Sequence, residues 1–323
     1  YVITEGSGLP GGNDDAVQVV DISCPLSPSV WGSLLEGEID QSHNVMVDDP
    51  YVPEYLFVIG ANGVSEDLYV FKDQSGGALP VVEIEDLRWS ASDSDDWAVS
   101  IPSGFDGYFH DVCFDDVHQI LYGCAIYDDS VVAIDLDETN ATTYGKAIHF
   151  WDGVEAAHAC WVNHIGNNSY LFTGGEKEGG IVFSWDITDI RNQNVNIMDQ
   201  DGYYPPGGVL SSAHNLFVQE NYLYISYYHH GLRILDVSDA DKISNMTDFA
   251  YYDTTNSLDI WEGVWGAFPF FEDGTVIISD REKGMYVLDF GLGALTNNDS
   301  FLFGDGTGDG LVNVSDIVLL VNI

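Results

Sequence analysis

Four histidines occupy the same place in a recurring pattern: Ser42-His43-Asn44-Val45, Phe109-His110-Asp111-Val112, Ala157-His158-Ala159-Cys160 and Ala213-His214-Asn215-Leu216. A fifth copy, Trp261-Glu262-Gly263-Val264, carries a carboxylate where the others carry imidazole. Imidazole is the commonest metal ligand, so His43, His110, His158 and His214 could with Glu262 form a metal or ligand site at one mouth of a channel lined by the innermost strands. The competing role is structural. A repeated polar residue at a strand start bonds the backbone of the next unit, and repeats copy structure before function. The structural role is the leading expectation.

A second oxygen-rich pattern closes the chain. In Asp305-Gly306-Thr307-Gly308-Asp309-Gly310-Leu311-Val312-Asn313-Val314-Ser315-Asp316, oxygen-bearing side chains fall at positions 1, 3, 5, 9 and 12, with Gly at 6. That spacing wraps ligands around Ca²⁺, with Asp305, Thr307, Asp309, Asn313 and Asp316 giving side-chain oxygens and Leu311 its carbonyl. An apolar run, Ile317 to Ile323, follows and reads as a short helix.

Cys113 and Cys124 flank a short hairpin, and a disulfide between them is expected in an oxidising compartment, with buried free thiols as the alternative. The clusters Asp93-Ser94-Asp95-Asp96 and Asp128-Asp129 read as solvated acidic loops. Asn140, Asn167, Asn245 and Asn298 begin glycan-acceptor patterns. No serine-hydrolase elbow, phosphate loop or zinc-protease motif is visible.

The elements that position these residues repeat as well. An apolar run ending in Asp and a turn appears as Val17-Gln-Val-Val-Asp21, Leu68-Tyr-Val-Phe-Lys-Asp73, Val131-Val-Ala-Ile-Asp135, Ile181-Val-Phe-Ser-Trp-Asp186, Leu232-Arg-Ile-Leu-Asp236 and Met285-Tyr-Val-Leu-Asp289. Those are six copies at a spacing of roughly 50 residues, a period that signals a propeller or solenoid. Each repeat offers four short strands rich in β-branched and aromatic residues, the composition of a propeller blade. The expected fold is all-β, a β-propeller of six four-stranded blades with the first incomplete, followed by an EF-hand-like calcium loop and helix. Asp21, Asp135, Asp186, Asp236 and Asp289 are expected to bond the turn backbone. Tyr1 to Gly6 match a second strand, so the chain is expected to be processed or incomplete, and its open blade to be closed irregularly or by a strand donated from a neighbour.

The run from His214 to Asp236, together with Trp261-Glu-Gly-Val-Trp-Gly-Ala-Phe-Pro-Phe-Phe and Gly284-Met-Tyr-Val-Leu, resembles the choice-of-anchor B family, whose blades carry LVIVD-type repeats. The resemblance spans roughly residues 1–290. It implies a secreted or surface-attached propeller with a sorting or anchoring module and no established catalytic chemistry. The 305–316 loop with Asp at position 12 resembles a single dockerin repeat. The expected divisions are a propeller at 1–293, a linker or closing strand at 294–303 and a dockerin-like repeat at 304–323.

Nine basic residues against 53 acidic ones leave a formal charge of −44. Such a surface lacks the Lys and Arg clusters that neutralise phosphate, so nucleic acid is excluded, and an anionic membrane repels it. No stretch is apolar enough to cross a bilayer. The leading expectation is an extracellular or cell-surface, non-catalytic structural or adhesion module. Calcium in its tail would attach it to itself or to a surface scaffold protein. The alternatives are a polysaccharide hydrolase or lyase, and a glycan- or protein-binding module.

Overall fold

The computed structural model describes residues 2–3, 17–24, 26–34, 42–48, 54–60, 68–72, 85–192, 194–198, 201–206, 210–239, 243, 248–271 and 273–290. The calcium loop at Asp305–Asp316 and the expected helix after it lie outside the described residues. Six antiparallel sheets form among those that are described. The first holds β1 (Val2–Ile3), β2 (Val17–Asp21) and β3 (Ser29–Leu34). The second holds β4 (Asn44–Val47), β5 (Tyr55–Ile59), β6 (Leu68–Lys72) and β7 (Glu85–Trp89). Next come β8 (Phe109–Asp115), β9 (Ile120–Ala125), β10 (Ser130–Asp135) and β11 (Lys146–Asp152). The fourth sheet is β12 (Ala157–Ile165), β13 (Asn168–Gly175), β14 (Val182–Asp189) and β15 (Asn194–Ile197). The fifth is β16 (Leu216–Gln219), β17 (Tyr222–Ser226), β18 (Leu232–Asp236) and β19 (Ala250–Tyr252). The last is β20 (Val264–Phe268), β21 (Thr275–Asp280) and β22 (Gly284–Asp289).

Strands are ordered by chain position within each sheet, the up-and-down order of a propeller blade. The expectation of six four-stranded blades is corrected. Five sheets begin on an inner strand, and four of these are four-stranded among the described residues; the β1–β2–β3 sheet has three strands and opens on a two-residue stub. Counting Asp-turn motifs overstated the blades because that motif marks a late strand, whereas a blade also needs an inner strand.

Two compact units form: Tyr1–Val162 with Asp189–Asn194, and Asn163–Thr188 with Val195–Ile323. In the first, β5, β9 and β10 are buried at every residue. That is why they read as unbroken apolar runs instead of alternating. Phe57, Ile59, Trp89, Phe109, Leu121, Val132 and Ile134 form its main core. Trp89 stacks on Phe109 at 5.0 Å, and its indole N–H donates to the Asp96 carbonyl. The second unit packs Leu232, Ile234, Val264, Val276, Ile278 and Leu288.

The Asp-turn motif acts locally. Asp21, Asp135, Asp186 and Asp236 each accept the backbone N–H two residues on, at 2.8 to 3.0 Å. Asp135, fully buried, also takes both guanidinium nitrogens of Arg191, at 2.8 and 3.0 Å. In the second unit Arg233 is 6% exposed. It donates to the His230 carbonyl, Asp248 and Asp253 at 2.6 to 2.8 Å and lies 4.6 Å from the Tyr251 ring centre.

The expected Cys113–Cys124 disulfide is corrected: all four cysteines are free thiols. The hairpin register sets Cys113 opposite Tyr122 and Asp111 opposite Cys124. The two cysteines are therefore diagonal neighbours, about 7–8 Å apart in such a ladder, beyond the ~6.8 Å between Cα atoms that a disulfide spans. Cys160 lies beside both, and its thiol approaches the Tyr122 carbonyl at 3.6 Å. Burial raises all three thiols, Cys113 to about 11.

Between β4 and β8, the Asn44 amide donates to Asp111 at 3.1 Å. Burial lifts the Asp111 carboxyl to about 7, against the pull of the Val112 N–H and of Asn44.

Three outcomes are expected. Replacing Arg233 by Met strands the buried Asp248 carboxylate, and urea denaturation should show a loss of about 3–5 kcal/mol. Unchanged stability would contradict the role given to this cation. Because Asp111 holds its proton more tightly folded than unfolded, its contribution to stability falls as pH rises from about 4 to about 7. Asp111→Asn should thus exceed the parent in stability at pH 8 by about 1–3 kcal/mol and match it near pH 3.5. In the native protein a thiol reagent should label one cysteine rapidly, the exposed Cys24, and the other three only after unfolding.

Candidate functional site

The inner strands gather the recurring imidazoles within each unit. In the first, His43 precedes β4, with its N–H bonded to the Ile59 carbonyl at 3.0 Å. His110 sits in a bulge of β8, where the register to β9 slips between Phe109 and Asp111. His158 is the second residue of β12 and only 2% exposed. The three rings stand in a row, His43 to His110 at 3.8 Å and His110 to His158 at 4.1 Å between centroids. Tyr108 lies beside the first two, at 6.1 and 6.4 Å. Gly60 makes this approach possible: at φ +61° it has no side chain, and a Cβ there would fall 2.5 Å from the His43 Cβ.

In the second unit, His214 is locked by its surroundings. Nδ1 lies 2.6 Å from the Trp265 carbonyl, and the ring packs on the Trp265 indole at 4.1 Å. A carbonyl only accepts, so Nδ1 carries the proton. Nε2 is directed toward Glu176, 3.7 Å from its carboxylate. Tyr228 donates its hydroxyl to the same carboxylate. The Tyr228 backbone pairs with Val264 through two hydrogen bonds, at 3.0 and 3.1 Å. Gly263, at φ +104°, lets that strand in: a Cβ there would lie 2.4 Å from the Tyr228 carbonyl. The His214 bond to the next inner strand is the structural role anticipated for the repeated histidine.

The frame that equates Glu262 with the histidines is corrected. β20 slips register between Val264 and Gly266, as β8 does between Phe109 and Asp111. The residue matching His110 is therefore Trp265, while Glu262 lies in the preceding turn, its N–H bonded to the Asp259 carbonyl. The cue was present: Val264-Trp265-Gly266-Ala267 matches Ala157-His158-Ala159-Cys160 in the sizes of its flanking residues. Glu176 and Tyr228 were missed because neither belongs to a repeated motif.

The acidic loops are bound to backbone as well. Asp93 accepts from the Asp95 N–H, Asp128 from Asp106 and Gly107, and Asp129 from Ala156, at 2.6 to 3.0 Å.

Residues 211–259, which contain β16 to β19, match the LVIVD repeat model. No curated protein is similar to the chain in sequence. A candidate 6-phosphogluconolactonase from Bacteroides uniformis ATCC 8492 is similar in structure, with a TM-score of 0.58 at 11% identity over 86% of this chain and 75% of that one. The computationally designed protein Ika8 gives 0.50 at 13% identity over 87% and 80%. Likeness at such identities concerns the fold alone. The chain is an all-β propeller of antiparallel blades, one of which carries an LVIVD repeat.

Proposed function

We propose that the chain is an extracellular, non-catalytic structural or adhesion propeller. It joins a second copy of itself by strand addition and is attached through the calcium loop at Asp305–Asp316. The observation that carries this reading is the outer edge of β22. Third strands elsewhere pair with a fourth: β6 with β7, β10 with β11 and β18 with β19. Among the described residues β22 pairs with β21 alone. It exposes Met285 and Val287, at 67% and 49%. An edge strand with exposed apolar residues favours addition of another strand, whose main-chain hydrogen bonds supply the affinity.

The resemblance to choice-of-anchor B propellers and to a dockerin repeat supports placement at a cell surface. The donor set of the loop is all oxygen, which suits a hard cation such as Ca²⁺. A bound cation would relieve part of the repulsion among 53 acidic residues. A second reading, a glycan-binding face, is favoured by the partly exposed rings of Trp261 and Trp265, at 37% and 43%.

Particle mass by light scattering, with negative-stain images, should show assemblies in millimolar calcium that dissociate in excess EGTA. Val287→Lys should abolish them at equal calcium. A compact monomer in both buffers overturns the assembly. Assemblies that persist in Val287→Lys place the contact elsewhere and overturn the β22 edge.

A further inference from the structure

We propose that His110 and His158 form a two-imidazole binding site for a borderline divalent transition-metal ion such as Zn²⁺ or Cu²⁺, with the His43 ring packed against His110. A ring nitrogen of His110 lies within 4.8 Å of one of His158. Two nitrogens bound to one zinc, each at about 2.0–2.1 Å, stand roughly 3.3 Å apart in a tetrahedral site. His110 is partly exposed, whereas His158 is 2% exposed and held in place by burial.

The scaffold favours convergence of the rings. The β8 bulge re-aims His110 out of the regular alternation, which is what bulges commonly do beside binding sites. Gly60 clears the space into which His43 fits, so the third imidazole stands 3.8 Å from His110 between centroids. The donor chemistry selects the ion. Imidazole suits zinc, copper and nickel, while calcium takes oxygen ligands. The chain's negative field concentrates divalent cations around it, and its nine basic residues offer little competition.

The test is titration of the metal-stripped full chain with ZnCl₂ and with CuCl₂, in saturating calcium so that oxygen sites are filled. The expected result is one equivalent bound. The copper paramagnetic resonance spectrum should show splitting from two nitrogens. His110→Ala and His158→Ala should each weaken binding at least tenfold, and His149→Ala, on β11, should leave it unchanged. Circular dichroism confirms folding. If the buried His158 variant fails to fold, the partly exposed His110 variant decides. An oxygen-only spectrum, unchanged affinity in His110→Ala, or full displacement by calcium overturns the site. None of these readouts depends on self-assembly, so the site and the assembly stand or fall separately.

Discussion

The hydrogen bond from a backbone N–H to an aspartate oxygen is the interaction on which this fold most depends. A chain with 53 acidic and nine basic residues cannot balance its carboxylates with ion pairs. It uses peptide groups instead. Asp21, Asp135, Asp186 and Asp236 cap their turns through backbone donors, and Asp93, Asp128 and Asp129 do the same in loops that composition marks as mere solvated charge. Each such bond satisfies a turn amide, and at Asp21 the Ser23 N–H holds the carboxyl below its usual range. Two of the four guanidinium groups sit on buried carboxylates, Arg191 on Asp135 and Arg233 on Asp248.

The repeat was legible because each blade is specified locally. An apolar run buried on both faces needs no partner identity, only hydrophobicity, and an Asp at its end announces the turn. What escaped was relational. The blade count erred because a motif belonging to one strand was taken for a whole blade. The placement of Glu262 erred by three positions because Trp261-Glu262-Gly263-Val264 was aligned on residue type, and only the pairing of Val264 with Asp280 and Gly266 with Ser279 shows that Trp265 takes the bulged position. The disulfide failed for the same reason, since flanking a hairpin does not set two cysteines opposite each other. Glu176 and Tyr228 reach His214 from different segments, and no single-sequence pattern joins them.

The histidines show how one repeated residue takes different duties. In His214 the imidazole links successive inner strands through the Trp265 carbonyl, which fixes its tautomer. In the first unit His43, His110 and His158 meet one another instead, ring against ring. Trp at position 265, where other copies carry His, keeps an aromatic surface at the bulge without an imidazole. A repeat can thus hold its packing constant while its chemistry drifts from copy to copy.

Complete burial of β9 and β10 has a kinetic corollary. Their amides are screened by apolar side chains on both faces and by a paired strand on each edge, so they exchange with solvent only when the surrounding sheet opens. The outer strand of that sheet, β11, carries intermediate and exposed residues and can fray at smaller free-energy cost. The first unit is therefore graded from a slow interior to a fast rim, and a protease or an unfolding force would meet the rim first.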